Sequence, residues 1–472
     1  MSKVVEMDEE NAVDEWTLLS DDCALDGIID EHDIFTAPLF TRDAFLHSSA
    51  SNERSQYGVL GRVLAIQQPS GPQKMDDPRL YLNTNAPFSA LVCGVQGSGK
   101  SHTVSVMLEN MLYEARSSIG SCKKALSGLV LHFSEGGSSA QPCEAAWVGC
   151  PKGEDVESPR VHVYVSKSCL TTMKRVYAPL QGVEVSSLHF PETELDAQAI
   201  LSMMALGSSE SAPLYMHSIL SILRELGEGF THKKFLSEID KAKKDMNPAQ
   251  KAMLNQRLAL LDSFVLPEND RQKSLFEEGQ LAIVDLSDPF IDPTSACSLF
   301  EIVTRLFVRS ELNTGKVLVV DEAHKYLSSN RGDSGLTRAL TSLIRQQRHL
   351  AMRVVISTQE PTAVPPVLID LVSIAIFHRF SSPAWWEAVA KRVCVDVSTA
   401  EAFERVVRLK TGQALVLCPS GLGLFATTRK TSSGAVVHGK AQIAHFGRRY
   451  LLIKTRRRIT VDGGASIMAL KA

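Results

Sequence analysis

The chain has 472 residues and a formal net charge of −3, too close to neutral for charge alone to name a partner. With 44% apolar residues it can bury a large core, yet no apolar run approaches the roughly 20 residues a membrane span needs. Nine scattered cysteines with no CxxC pair argue against a disulfide framework or a zinc knuckle and for a reducing, intracellular compartment, cytoplasmic or nuclear. Cys143, Cys150 and His162 come nearest to a metal set, but their spacing fits no ligand pattern.

Residues 1–33 carry a dozen carboxylates and a single lysine, without the layout of a secretory signal. Residues 1–55 are expected to form an acidic, disordered tail, and 56–472 a single domain. "QQPSGPQKMDDP" is a turn-rich linker. Short apolar, β-branched runs follow: "FSALVCG", "SGLVLHFSE", "RVHVYVS", "QLAIVDLSD", "KVLVVDEAH", "RVVISTQ", "SIAIFHRF" and "QALVLCPS". Continuous runs of this kind are strands buried on both faces, as in a parallel sheet sandwiched by helices. "LYMHSILSILREL" and "LTRALTSLIRQQRHL" repeat Leu or Ile at helical spacing, and Asn247 before Pro248 reads as a helix N-cap. The segment from about 166 to 280 reads as a mainly helical insertion, and about 429–460 as a basic strand segment. The fold class is α/β, a doubly wound, mostly parallel sheet.

"GVQGSGKS" has the spacing G-x-x-x-x-G-K-[ST], from Gly94 through Val95, Gln96, Gly97 and Ser98 to Gly99, Lys100 and Ser101. Successive backbone N–H groups can curl around a phosphate only where side chains do not block the approach, and the helix that follows aims its unpaired N–H groups at the same anion. Lys100 adds a point charge, Ser101 a hydroxyl for Mg²⁺, and His102 opens the helix. This predicts ATP binding with Mg²⁺. Hydrolysis needs more: a second strand end with a carboxylate that orders the metal's water and another that activates water. "KVLVVDEAHKYL" offers Asp321 for the first role and Glu322 as general base. The letters DEAH do not make a helicase, because an arginine-rich QRxGRxGR-like segment is absent; His324 reads as a helix-start residue. In "SLIRQQRHLAMRVVISTQEP", Gln359 ends a strand where it can sense a γ-phosphate. Arg345 and Arg348, three apart, would share a helix face and could serve as fingers toward a neighbouring subunit.

These stretches, with "VPPVLIDLVSIAIFHRFSSP" and "LKTGQALVL", resemble the HerA/FtsK superfamily of P-loop motor ATPases over roughly residues 56–430. The resemblance implies a RecA-like P-loop NTPase fold and a Walker A motif of Gly94, Gly99, Lys100 and Ser101. It makes Asp321 and Glu322 the Walker B pair, Gln359 the strand-tip sensor and Arg348 the arginine acting in trans, with Arg379 on the next strand. It also implies a hexameric ring that moves DNA, or sometimes polypeptide, through a pore; no membrane part is expected, since the membrane segments of FtsK, like its DNA-reading winged helix, have no counterpart here. The β-barrel that precedes the core in HerA proteins is not evident. Arg448–Arg449 and the run Lys454 to Arg458 are candidates to bind nucleic-acid phosphates. A second reading is a nucleotide-dependent switch that gates a protein partner without motor work, with the tail around Trp16 and Leu18–Leu19 as docking peptide.

Overall fold

Side-chain alternation decides the layers. The computed structural model describes residues 31–464, apart from 49–54, 69–70, 115–117, 135, 138–139, 154–156, 205–214, 267–273, 328–333, 392–398 and 431–435. In chain order the strands used below are β1 (Leu39–Thr41), β2 (Tyr57–Gln68), β3 (Arg79–Asn83), β4 (Ser89–Cys93), β5 (Ser127–His132), β6 (Val161–Val165) and β7 (Val183–Ser187). They continue with β8 (Leu281–Asp285), β9 (Lys316–Val320), β10 (Met352–Thr358), β11 (Ile374–Phe377) and β12 (Gln413–Leu417). The last three are β13 (Leu422–Lys430), β14 (Val436–His445) and β15 (Tyr450–Thr455). Along β9, Leu318 and Val320 enter one hydrophobic core while Val317 and Val319 enter another, because successive side chains point to opposite faces. Both faces are therefore covered. The first core holds helices Pro293–Arg309 and Gly335–Gln346, and the second holds helix Lys100–Leu112.

The eight apolar runs are all strands of one sheet. From β7 the order is β6, β8, β5, β9, β10, β4 and β11, every neighbouring pair parallel. β10 is thus inserted between β4 and β9, so the ends of three strands lie side by side. Beyond β11 the sheet turns antiparallel through β12, β15, β2, β3 and β1. β13 then pairs parallel to β1, and β14 antiparallel to β13. The helices expected at "LYMHSILSILREL" and "LTRALTSLIRQQRHL" span Tyr215–Leu226 and Gly335–Gln346. Asn247 caps helix Pro248–Asp262 in a reciprocal capping box with Gln250. Between 166 and 280 the described residues are mainly helical, but β7 from this segment joins the sheet.

Two expectations need correction. The structureless segment to residue 55 does not hold for 31–48: Glu31–Thr36 and Arg42–His47 are helical and flank β1. Phe40 and Phe45 are buried there against Tyr57 and Tyr81, which the surplus of carboxylates further upstream masks in the composition. Residues 1–30, with Trp16 and Leu18–Leu19, lie outside the described residues.

The basic C-terminal run is the second. Arg456 gives a 2.7 Å ion pair to Glu109 of helix Lys100–Leu112, and Arg458, its side chain fully buried, bonds Glu144 at 2.5 Å. Glu109, itself fully buried, also accepts from the Thr460 hydroxyl at 2.6 Å and from the Thr460 N–H at 3.1 Å. The Arg449 guanidinium stacks over Phe425 at 4.2 Å. Arg449, Arg456 and Arg458 are thus engaged within the chain, covering an aromatic face or neutralising internal carboxylates, while Lys454 and Arg457 stay exposed, so the run is not one continuous basic strip. Glu109→Gln keeps the shape and removes the charge that compensates Arg456. Breaking a buried pair on one side costs about 3–5 kcal/mol, so chemical denaturation should show a loss of that size, whereas Glu238→Gln, in an exposed helical pair with Lys241, should change stability by less than about 1 kcal/mol.

Candidate nucleotide site

Positive φ angles build the loop. Gly94, Gly97 and Gly99 sit at φ 156°, 72° and 111°, conformations that L side chains rarely adopt. Space is short as well: a Cβ on Gly94 would lie 2.6 Å from the His378 Cβ, and one on Gly99 would lie 2.8 Å from the Gly412 Cα. Gly99 is the N-cap of helix Lys100–Leu112, so its unpaired N–H groups face the loop. His378 supports the turn from beneath. Its Nδ1–H donates to the Gln413 carbonyl at 2.9 Å, and its Nε2 lies 3.0 Å from the Thr103 hydroxyl.

The acidic strand end meets this loop. Lys100, 4% exposed, places its ammonium 2.7 Å from Glu322 Oε1 and 3.4 Å from the Ser357 hydroxyl at the tip of β10. Gln359 donates its amide to the other Glu322 oxygen at 2.8 Å. Glu322 holds this position from a left-handed backbone, φ 49° and ψ 40°, which costs a non-glycine residue about 1–2 kcal/mol. Asp321 accepts from His132 Nδ1 at 3.0 Å. Although burial opposes its charge, the hydrogen bond from His132 and the charge of Lys100 hold its carboxyl well below the usual carboxylate range. Both carboxylates, Lys100, Ser101 and His102 line one cavity of about 930 Å³ together with Val95, Gln96, Gly97, Gly99 and Gln359. Lys454, Arg456 and Arg457 form part of its wall, so the basic run faces this cavity. Ser98 is buried beneath the loop, with its hydroxyl on the Val95 carbonyl at 2.7 Å. Together these groups form the candidate nucleotide site.

Other candidates lie elsewhere. The helix ends at Gln346, so Arg348 falls beyond the cap and does not share a helical face with Arg345 as expected. Both are exposed near the start of β10, whereas Gln359 follows its end. Seven residues of strand separate those edges by about 20 Å. Arg379 is exposed, and its carbonyl accepts the Val95 N–H at 3.1 Å. Cys150 and His162 do not join Cys143: the Cys150 thiol points at the Gln181 carbonyl and His162 at Ser186. Two histidines were missed as site residues. The sequence marks His132 only as part of a strand and His324 only as a helix start. His324 lies within the short turn Ala323–Lys325, but its Nε2 also lies 3.5 Å from Glu322 Oε2, and its Nδ1 accepts the Gln359 N–H at 3.4 Å. The adjacency of His324 to Glu322 was a usable signal; for His132 there was none.

No protein-family model and no curated protein matches the sequence. Solved structures do overlap with it. VirB4 of Thermoanaerobacter pseudethanolicus overlaps 82% of this chain and 96% of its own at 13% identity and a TM-score of 0.42. The plasmid coupling protein TrwB, in complex with the ATP analogue ADPNP, overlaps 79% and 88% at 14% identity and 0.43. The genome packaging NTPase B204 of Sulfolobus turreted icosahedral virus 2, in complex with AMP, overlaps 76% and 98% at 12% identity and 0.31. At such scores the strand order and side-chain geometry described above carry the assignment. No helix among the described residues is long and apolar enough to cross a membrane.

Burial pushes the His378 imidazole down to about 4. An unfolded chain takes up this proton below about pH 6.5, the folded chain only near the lower value, so acid favours unfolding throughout that window. The stability present at neutral pH should fall by about 1.4 kcal/mol per pH unit on this account. Urea unfolding at about pH 7 and about pH 5 should show that slope in the wild type and a shallower one in His378→Gln.

Proposed function

We propose that the chain binds MgATP in this cavity and hydrolyses it, as one subunit of a ring-shaped motor of HerA/FtsK type that works on nucleic acid. One observation carries the catalytic part: a P-loop lysine and a strand-tip glutamine grip opposite oxygens of the same carboxylate, Glu322. Backbone N–H groups from Gly97 to Ser101 bind phosphate, and Lys100 neutralises it. A phosphate there competes with the Glu322 carboxylate for the three N–H donors of Lys100, and in this reading it exchanges with that carboxylate. The exchange frees one Glu322 oxygen to take a proton from water, while Gln359 and His324 keep the carboxylate aimed. The Ser101 hydroxyl and the Asp321 carboxylate are oxygen donors suited to Mg²⁺ or its water shell, and the ion supplies charge neutralisation at the phosphates.

The ring and its cargo rest on the superfamily resemblance. Arg345 and Arg348 lie far from the chain's own cavity, so a finger role for either is toward a neighbouring subunit's nucleotide, Arg348 first. The basic run beside Glu109 is better assigned to the nucleotide cavity than to nucleic acid.

Glu322→Gln should retain ATP binding and lose about 10²–10⁴-fold in turnover; an unchanged rate would reject the assignment. Lys100→Ala should lose ATP affinity, read by equilibrium binding. Native mass, together with ATPase rates with and without duplex or single-stranded DNA, separates a motor from a switch whose slow turnover ignores DNA. In mixed rings, Arg348→Ala and Lys100→Ala subunits should partly restore each other's activity if the arginine acts across an interface. Confirmed mixed rings that stay inactive count against the finger.

A further inference from the structure

The nucleotide site has a second group of donors at its rim. His132 at the end of β5, Cys143 before the short turn Glu144–Gly149, and Asp321 after β9 offer one imidazole nitrogen, one thiol sulfur and one carboxylate oxygen. All three atoms lie within 4.8 Å of one another. Cys143 is 1% exposed and His132 9%, so neither is a surface group that meets others by chance.

The backbones that carry these donors are pinned. The Tyr177 hydroxyl accepts the Cys143 N–H at 2.9 Å and donates to Asp285 at 2.7 Å. The Tyr326 hydroxyl donates to the Asp321 carbonyl at 2.9 Å. Such outer partners are what hold metal ligands in place.

We propose that His132, Cys143 and Asp321 form a binding site for a thiophilic divalent cation, with zinc the ion that its donors fit. Bonds of about 2.0–2.3 Å in a tetrahedron separate ligand atoms by about 3.3–3.8 Å, so closure from the observed spacing takes about one ångström. Mg²⁺, which takes oxygen ligands, has no use for the thiol. His132, Asp321 and residues 140–142 line the nucleotide cavity, which gives the ion an entry path and a water for the fourth position. Binding breaks the S–H bond of Cys143 and forms a metal–sulfur bond. The thiol proton and the proton between His132 Nδ1 and Asp321 both leave to solvent, and the cation takes the place of the latter. No oxidant or reductant is involved. The functional consequence rests on the ATPase reading: an ion there engages the carboxylate assigned to the Mg²⁺ shell, so zinc inhibits turnover.

Co²⁺ added to the purified full-length chain tests the site directly. The expected result is a thiolate-to-cobalt charge-transfer band that saturates at one ion per chain, is displaced by Zn²⁺ and not by excess Mg²⁺, and is lost in Cys143→Ala. Loss of an outer partner alone weakens metal sites by about 10–100-fold, so loss of this sulfur should weaken Zn²⁺ binding by at least about 100-fold. Cys143→Ala should keep the basal MgATPase rate and lose zinc inhibition. His132→Gln should weaken Co²⁺ binding while the sulfur band survives at high Co²⁺. Absence of the band in wild type, or its persistence in Cys143→Ala, overturns the proposal. A band in a chain without ATPase activity sinks the ATPase reading and leaves the metal site standing; activity without a band does the reverse.

Discussion

A single ion pair determines how the rest of this molecule has to be arranged. Lys100 and Glu322 are 222 residues apart in sequence and follow strands that are not neighbours, since β10 lies between β4 and β9. The lysine side chain must reach over the inserted strand. It can do so because that strand ends there in the small hydroxyl residues Ser357 and Thr358, and because the Glu322 backbone bends into a left-handed turn to meet it. Two charges buried together are costly to desolvate, and removing either would strand the other. The pair is thus a poor source of stability but a strong constraint. It couples the phosphate loop to the acidic strand end and leaves the lysine with two competing anions.

The loop itself is supported from the antiparallel side of the sheet. His378, Gly412 and Thr455 come from β11, β12 and β15 or their ends, and each contacts the loop or the first turn of its helix. The antiparallel extension is therefore more than an appendage. It supplies the floor of the loop and, through residues 454–457, one wall of the cavity.

Much of this was legible in the sequence wherever the determining residues were neighbours in the chain. The eight apolar runs announce themselves because a strand covered on both faces needs no polar positions, and the loop spacing follows from what a phosphate requires of a backbone. Strands with mixed exposure hid better. β2 alternates irregularly and carries Arg62, Gln67 and Gln68, so it lacks a clean period. The run from Lys454 to Arg458 reads as a nucleic-acid-binding strip because the counter-charges of Arg456 and Arg458, Glu109 and Glu144, lie more than 300 residues earlier. His132 was silent for the same reason, its partner Asp321 being 189 residues away. Side chains that find their chemistry across such separations leave no local pattern to read.

The Glu109 staple bears on how this protein is made. Helix Lys100–Leu112 leaves the ribosome carrying a carboxylate destined for full burial, but Arg456 and Thr460 follow it 347 and 351 residues later. Until they arrive the helix holds a charge that cannot enter a closed core at low cost. Packing this helix fully is therefore costly until the C-terminal segment is present. A chain cut short before residue 456 would leave the Glu109 carboxylate without the two groups that compensate it.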